Sequence, residues 1–145
     1  MAEMRRSTEL DLALAPEGAV VACLKAHFPN LLGVWAFGSV IKGTPLPGSD
    51  LDLAVLVAGY APPLLVWDTT ATLEALVGCA VDLLDLRLAS TVMQHQVVTT
   101  GRCLWAQRPD AGEFELFVLS EKLALDAARA GLLADIEKTG TIYGR

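Results

Sequence analysis

The chain has 145 residues, 53% of them hydrophobic, and its formal net charge of −6 excludes the strongly basic classes of protein. This length suits one domain with a sizeable core, so residues 1–145 are expected to form a single domain. With only 11 lysines and arginines, direct nucleic-acid binding is not expected, because phosphate backbones are bound by basic surfaces. No apolar run approaches a membrane span and no signal pattern opens the chain, so a cytoplasmic protein without a membrane anchor is expected.

The elements predicted in chain order alternate between helices and strands. Gly and Pro punctuate them, as at the Pro62-Pro63 pair that opens a helix and at Gly78 and Gly101, which each end one. The pattern predicts helices over 16–26, 63–77, 89–100 and 113–138, and strands over 31–38, 51–57, 79–86 and 102–107, the last at a sheet edge. The predicted fold class is α/β: one small mixed sheet covered by helices, with a long amphipathic helix at the C-terminal end.

Three cysteines, Cys23, Cys79 and Cys103, lie far apart in the sequence, and none belongs to a CxxC motif. An odd number with this spacing argues against a disulfide framework and a zinc site, and it fits a reducing compartment. All three are expected to be small buried apolar residues.

Asp50 and Asp52 lie within a segment that is otherwise apolar, LDLAVLV preceded by Gly-Ser-Asp. Side chains alternate along a strand, so the two carboxylates point to one side while Leu51 and Leu53 point to the core. Buried carboxylates are normally paired or bound to a cation. Mg²⁺ prefers oxygen ligands and is usually held by one or two carboxylates together with substrate phosphates, so the pair predicts a magnesium site.

A second polar feature lies at the end of the preceding strand, where Gly38-Ser39 forms a turn and Lys42-Gly43 follows. Backbone N–H groups and a hydroxyl in such a turn suit phosphate oxygens, and the lysine adds a positive charge. A phosphate cradle beside a carboxylate pair is the equipment for phosphoryl or nucleotidyl transfer.

Two other known motifs disagree with the residues of this segment. A P-loop is excluded because Thr44 stands where the lysine of that motif would follow its glycine. An EF-hand loop is excluded because Ala54 and Leu56, not polar ligands, continue the Asp pair. The structural alternative, in which Asp50 caps a turn and Asp52 is exposed at a sheet edge, leaves the neighbouring Gly-Ser and Lys-Gly pairs unexplained.

The stretch GSVIKGTPLPGSDLDLAVLV resembles the signature of the polymerase-β-like nucleotidyltransferases, namely Gly-Ser, a spacer to Gly, then Ser-Asp-x-Asp. Among these it is most similar to the minimal nucleotidyltransferases that act as antitoxins to HEPN-domain toxins. The resemblance implies a polymerase-β-like fold and two Mg²⁺ ions with ATP as substrate. It also implies site residues: Gly38, Ser39, Lys42, Gly43 and Ser49 for the nucleotide, and Asp50, Asp52 and Asp82 for the metal and catalysis.

The family uses a third carboxylate on a later strand, and VDLLDL offers both Asp82 and Asp85. These two residues are an odd number of positions apart, so they face opposite sides of a strand. The family pattern favours Asp82, directly after the first valine. Asp85 is then expected to be a strand-end or surface residue.

The resemblance implies that the chain transfers AMP from Mg-ATP to a tyrosine of a HEPN toxin, which neutralises the toxin and makes that protein both acceptor and partner. A homo-oligomer or hetero-oligomer is compatible with this function. Two alternatives stay open: an antitoxin that neutralises by binding alone, and a nucleotidyltransferase acting on a small molecule such as an aminoglycoside. The apolar residues of the long C-terminal helix are expected to cover the sheet, and docking of a partner is the alternative. These residues are Phe114, Phe117, Leu125, Leu132 and Ile136.

Overall fold

The structure is a computed structural model that describes residues 9–38 and 50–139. Residues 9–13 are helical and precede the first complete element. The helices are α1 (Ala19–His27), α2 (Pro63–Val77), α3 (Thr91–Thr100) and α4 (Asp110–Thr139), and a 3₁₀ turn spans Leu86–Leu88. The strands are β1 (Leu31–Phe37), β2 (Leu51–Val57), β3 (Val81–Asp85) and β4 (Arg102–Ala106).

The four strands form one mixed sheet in the order β3-β2-β1-β4. β1 pairs antiparallel with both β2 and β4, whereas β2 pairs parallel with β3. The parallel pair is joined by α2, a helical crossover of the kind that parallel neighbours require. The mixed sheet and the edge position of β4 are as predicted from the sequence.

Each face of the sheet has its own core, because side chains alternate along β2. Residues 51, 53, 55 and 57 are buried on the first face against α1 and α2. Ala54 and Leu56 lie on the second face, which packs against α3 and α4 through Val97, Phe114 and Val118. Full burial of a Leu or Val side chain contributes about 1.5–3 kcal/mol, so β2, buried on both faces, anchors the fold.

Local signals in the sequence set the limits of the helices on both faces. α2 has Pro63 in its first turn, where a missing N–H is tolerated. It ends at Gly78, whose φ of 74° lies in the left-handed region and whose N–H donates to the Glu74 carbonyl at 2.9 Å. Ser90 caps α3, and its Oγ accepts a hydrogen bond from Met93 N at 3.2 Å.

Several element limits differ from the prediction, and α3 begins at Thr91, two residues after the predicted start. α1 begins at Ala19, three residues late, because residues 14–18 form turns in which Gly18 N donates to the Ala15 carbonyl at 2.8 Å. β3 covers only Val81–Asp85 because a 3₁₀ turn begins at Leu86. α4 begins at Asp110, three residues before the predicted start.

The apolar residues of α4 do not all cover the sheet. Phe114 is buried, whereas Phe117 is 52% and Leu132 is 47% exposed. The expectation that this set covers the sheet is therefore wrong for these two residues. Leu125 and Ile136 are partly buried. Helical periodicity predicted an apolar face, but it does not reveal how much of the helix lies over the sheet.

All three cysteines are free. Cys23 and Cys79 are partly buried, but Cys103 on the edge strand is exposed, so the prediction that all three are buried is wrong. Within the part of the chain that the structure describes, none of the helices has both the length and the apolar character needed to span a bilayer.

Candidate active site

The carboxylates of Asp52 and Asp82 are neighbours across the parallel pair of strands. In the β2–β3 register, residue 52 is the partner of residue 82. Both side chains belong to the sheet face that also carries Ala54 and Leu56. Asp52 is partly buried and Asp82 is exposed, so the pair lies where that face opens to solvent.

Asp50 is exposed and directly precedes β2, at the same end of the sheet. Leu51 N donates to the Ala80 carbonyl at 2.9 Å, which ties the start of β2 to the residues before β3. All three predicted carboxylates therefore lie at the edge of the sheet where β2 and β3 begin.

Gly38 brings the end of β1 against the same carboxylates. Phe37 is the register partner of Asp52 on the antiparallel side, and Gly38 follows with φ of 83°. A Cβ built on Gly38 would overlap Asp52 Oδ2 and would lie 3.1 Å from its Cγ. The left-handed backbone at position 38 favours glycine, and any larger residue would displace the Asp52 carboxylate.

The carboxylate cluster is electrostatically unfavourable on its own. Burial raises the pKa of Asp52, and the charges of Asp82 and Asp50 raise that pKa further. Among the described residues, the ion pairs found join Arg108 to Glu115 and Lys122 to Asp126, away from this cluster. The arrangement thus favours a bound cation, which would offset both the burial of the Asp52 charge and its repulsion by Asp82 and Asp50.

The donor set suits a hard cation that completes its coordination with other ligands. Within residues 9–38 and 50–139, no three His, Cys, Asp or Glu side chains form a ready-made metal site. Two neighbouring carboxylates are nevertheless what Mg²⁺ usually takes from a protein when phosphates and water fill its remaining positions. The residues present therefore fit a magnesium ion that binds together with a phosphate substrate.

Asp85 lies at the other end of β3 and does not join the cluster. It is 7% exposed, its Oδ2 accepts from Ala61 N at 2.8 Å and its Oδ1 accepts from Arg87 N at 3.0 Å. The expectation of a strand-end residue is correct, but that of a surface residue is wrong. Asp85 caps the 3₁₀ turn, and its hydrogen bond with Ala61 N links the β2–α2 loop to the end of β3.

Cys79 adjoins the site, which the sequence analysis did not predict. Burial raises the pKa of its thiol, and the Asp50 charge acts in the same direction, so the two side chains are near one another. A raised pKa keeps the thiol protonated and unreactive at neutral pH. In the sequence, only the position of Cys79 two residues before β3 indicates that it lies at the same end of the sheet as Asp50.

The remaining predicted site residues, Ser39, Lys42, Gly43 and Ser49, fall within 39–49, outside the described residues. A surface cleft of about 320 Å³ is lined by other residues, among them Arg87, Asp110 and Phe114 near the start of α4. Asp50, Asp52 and Asp82 are not among the residues that line this cleft.

Comparison with protein families agrees with this geometry. Residues 20–110 match the family described as "Polymerase beta, Nucleotidyltransferase". This span contains the sheet, all three carboxylates and Gly38. The chain belongs to this family of nucleotidyltransferases.

One protein and two solved structures show which nucleotidyltransferases this chain is similar to. A protein adenylyltransferase, MntA of Shewanella oneidensis, is 35% identical over 120 residues, which cover 83% of this chain and 86% of the relative. The crystal structure of a toxin–antitoxin with AMP-PNP matches with a TM-score of 0.71 and 35% identity, covering 81% of this chain and 95% of that one. A structure of a tri-AMPylated Shewanella oneidensis HEPN toxin in complex with its MNT antitoxin matches with a TM-score of 0.66 and 32% identity, covering 82% and 93%.

Proposed function

We propose that this chain is a protein adenylyltransferase that neutralises a HEPN-family toxin. It transfers AMP from ATP to a tyrosine hydroxyl of that toxin. The observation that carries the proposal is the Asp52–Asp82 register pair, in a chain 35% identical to a protein adenylyltransferase. A related structure with AMP-PNP and another with an AMPylated HEPN toxin support the nucleotide and the acceptor.

The reaction joins the acceptor oxygen to the α-phosphorus of ATP and releases pyrophosphate. Asp82, the more exposed of the register pair, accepts the proton of the tyrosine hydroxyl as that oxygen attacks. Asp50 and Asp52 would hold Mg²⁺, and Asp82 would contribute to a second ion. Bound there, such ions would supply the positive charge that offsets the triphosphate and the leaving pyrophosphate.

The residues around the carboxylates orient the nucleotide. Gly38 keeps the end of β1 close to the Asp52 carboxylate, so a phosphate bound at this turn would lie beside the residues that would hold the metal. Ser39, Lys42, Gly43 and Ser49 are assigned to the phosphates, on the resemblance of their motif alone. In this proposal residues 1–145 work as one minimal nucleotidyltransferase domain in the cytoplasm, without direct contact to nucleic acid.

The test is intact mass spectrometry of the cognate HEPN-domain protein after incubation with this chain and Mg-ATP. The expected result is a gain of one or more whole AMP units, absent when an Asp50→Asn/Asp52→Asn variant replaces the wild type. Peptide mapping then identifies the modified tyrosine.

An unchanged mass together with a tight complex would replace the proposal with an antitoxin that acts by binding alone. AMP transfer to an added aminoglycoside, and none to the HEPN protein, would instead identify a small-molecule enzyme. These outcomes separate the three functions because each predicts a different labelled molecule.

A further inference from the structure

β3 lies at an edge of the sheet, and its outer side carries backbone groups without a partner. Among the described strands it pairs only with β2. Because Leu51 N donates to the Ala80 carbonyl, this register turns the N–H and C=O groups of Val81 and Leu83 away from β2. No described residue forms a hydrogen bond with these outer groups. They are therefore open to solvent or to another strand.

The burial of β3 agrees with an open outer side. Val81, Leu83 and Asp85 are each 7% exposed, whereas their register partners at positions 51, 53 and 55 of β2 are fully buried. The side chains of both sets face protein, so the edge position of β3 accounts for the difference. No other described element covers this edge with backbone hydrogen bonds.

The two edge strands of the described sheet differ in regularity. β2 and β3 pair over five consecutive residues without a shift, whereas the β1–β4 register shifts between Val34 and Trp35. Bulges, lysines and prolines are devices that protect an edge against added strands. β3, with the sequence VDLLD, has none of these, and its exposed charge, Asp82, belongs to the carboxylate cluster. β3 is therefore the edge that can accept a strand.

The proposed reaction also needs the acceptor on the β3 side of the site. Asp82 lies on β3, Asp52 on β2, and the Gly38 turn follows β1, so the three features lie in the order of the strands. In that reaction the leaving phosphates lie at the Gly38 turn, on the β1 side of Asp52. Since the attacking and leaving oxygens lie roughly in line, the acceptor oxygen arrives from the opposite side, past Asp82.

We infer that the toxin segment carrying the acceptor tyrosine adds to the sheet as a strand beside β3, paired with the backbone of Val81 and Leu83. The identity of the toxin and its tyrosine rests on the function proposed above. A residue opposite Asp82 on the added strand projects from the same face, with the two Cβ atoms about 4.5–5.5 Å apart. A tyrosine there lies beside Asp82, and its side chain extends along the open face toward Asp52. Main-chain hydrogen bonds supply the affinity in this mode of recognition.

Two other occupants fit this edge less well. A docked helix uses its N–H and C=O groups internally except at its ends, so it leaves the outer groups of Val81 and Leu83 unpaired. A second copy of the chain, paired through its own β3, would bring two carboxylate clusters together, and like charges facing one another destabilise a sheet. It would also cover the approach to Asp82 that the acceptor needs.

The test is residue-resolved amide hydrogen exchange, measured by NMR on the isotope-labelled full-length chain alone and with the full-length HEPN-domain protein. ATP is left out, so binding is observed apart from AMP transfer. In the chain alone, the outer amides of Val81 and Leu83 should exchange faster than those of Asp82 and Leu84, which face β2. In the complex, the two outer amides should exchange at least about 10-fold more slowly. The amides of β4, the other edge strand, are the matched control and should not change.

A second measurement places the label on the HEPN-domain protein. The amides that become protected in the complex should fall at every second residue of one segment that contains a tyrosine, because a strand has a period of two. Peptide mapping after incubation with Mg-ATP then shows whether that tyrosine is the one that receives AMP.

Protection of Val81 and Leu83 by a toxin that receives no AMP would refute the adenylyltransferase proposal and leave the strand addition standing. A complex in which Leu83 exchanges as fast as in the free chain, or in which consecutive toxin amides are protected, would overturn the strand addition. Slow exchange of Leu83 in the chain alone that becomes fast on dilution would make a second copy the occupant. The absence of any complex would overturn both proposals.

Discussion

The two ends of β3 each carry an aspartate, and their surroundings differ in every respect. At the start of the strand, Asp82 is exposed and faces Asp52 in the register, with Asp50 close by. At its end, Asp85 is buried and accepts two backbone hydrogen bonds, from Ala61 N and Arg87 N. Asp82 therefore lies among like charges, whereas the oxygens of Asp85, three positions further along the chain, already accept hydrogen bonds.

This difference separates a structural carboxylate from one available for chemistry. Backbone donors that bond to a buried carboxylate compensate for its desolvation and fix it in place. A cluster of carboxylates to which the described residues donate no such bond is costly in the folded chain and is tolerated where a ligand supplies the charge. The predictions below test that distinction, from the largest expected effect to the smallest.

The largest effect is expected at the start of the sheet. Replacing both Asp50 and Asp52 with Asn should lower the rate of AMP transfer by at least about 1,000-fold, because the metal ion that would position the triphosphate would lose its carboxylate ligands. Transfer is followed by intact mass spectrometry, and circular dichroism checks the fold. Asp68→Asn, which removes one carboxylate on the exposed side of α2, is the control and should retain the wild-type rate. Equal rates in the double variant and the control would exclude these residues as metal ligands.

A smaller loss is expected at Asp82. Asp82→Asn keeps the size of the side chain but removes its ability to accept a proton, and such a base typically contributes about 100-fold or more. Single-turnover rates at saturating Mg-ATP measure this step apart from nucleotide binding. An Asp82→Asn protein that reacts at the wild-type rate would move the role of general base to another group.

The sequence predicted the limits of elements well where a proline or glycine begins or ends a helix. Pro63 and Gly78 place both ends of α2, and the predicted limits of β2 agree with Leu51–Val57. The prediction was less accurate where a turn competes with a regular element. Asp85 starts a 3₁₀ turn inside the apolar run assigned to β3, and Pro16 belongs to the turns before α1.

The candidate site could be predicted in part for a related reason. Asp50, Leu51 and Asp52 alternate along one strand, so the common direction of the two aspartates follows from this local pattern alone. That Asp82 faces Asp52 depends on parallel pairing, and the burial of Asp85 depends on Ala61, 24 residues away. The exposure of Phe117 and Leu132 on α4 depends on how far the sheet extends beneath the helix, which periodicity does not encode.

Asp85 is expected to affect stability and not chemistry. Asp85→Ala leaves two backbone N–H groups without their acceptor and should lower the free energy of unfolding by about 2–4 kcal/mol. Urea denaturation measures this, and Asp68→Ala is expected to stay within about 0.5 kcal/mol of the wild type. The rate of AMP transfer per folded molecule should be unchanged at low temperature. A stable Asp85→Ala protein that lacks activity would put Asp85, and not only Asp82, in the catalytic group.

The smallest effect has the opposite sign, because Asp52 is expected to destabilise the metal-free fold. Its pKa is raised in the folded chain by burial and by Asp82 and Asp50. At a pH below the ordinary aspartate value of about 3.9 the carboxyl is neutral in both states and costs nothing. As pH rises through that value the unfolded chain ionises first, so the fold loses stability, and the full cost persists above the raised pKa.

Asp52→Asn should therefore be more stable than the wild type in EDTA at pH 7, by less than about 1 kcal/mol because the site is partly solvated. The difference should vanish toward pH 3, and adding Mg²⁺ with ATP should reverse it by stabilising only the wild type. Urea denaturation at both pH values supplies the measurement. If the variant were the less stable protein at pH 7 without metal, the Asp52 carboxylate would be making compensating hydrogen bonds, and the contrast between the two ends of β3 would fail.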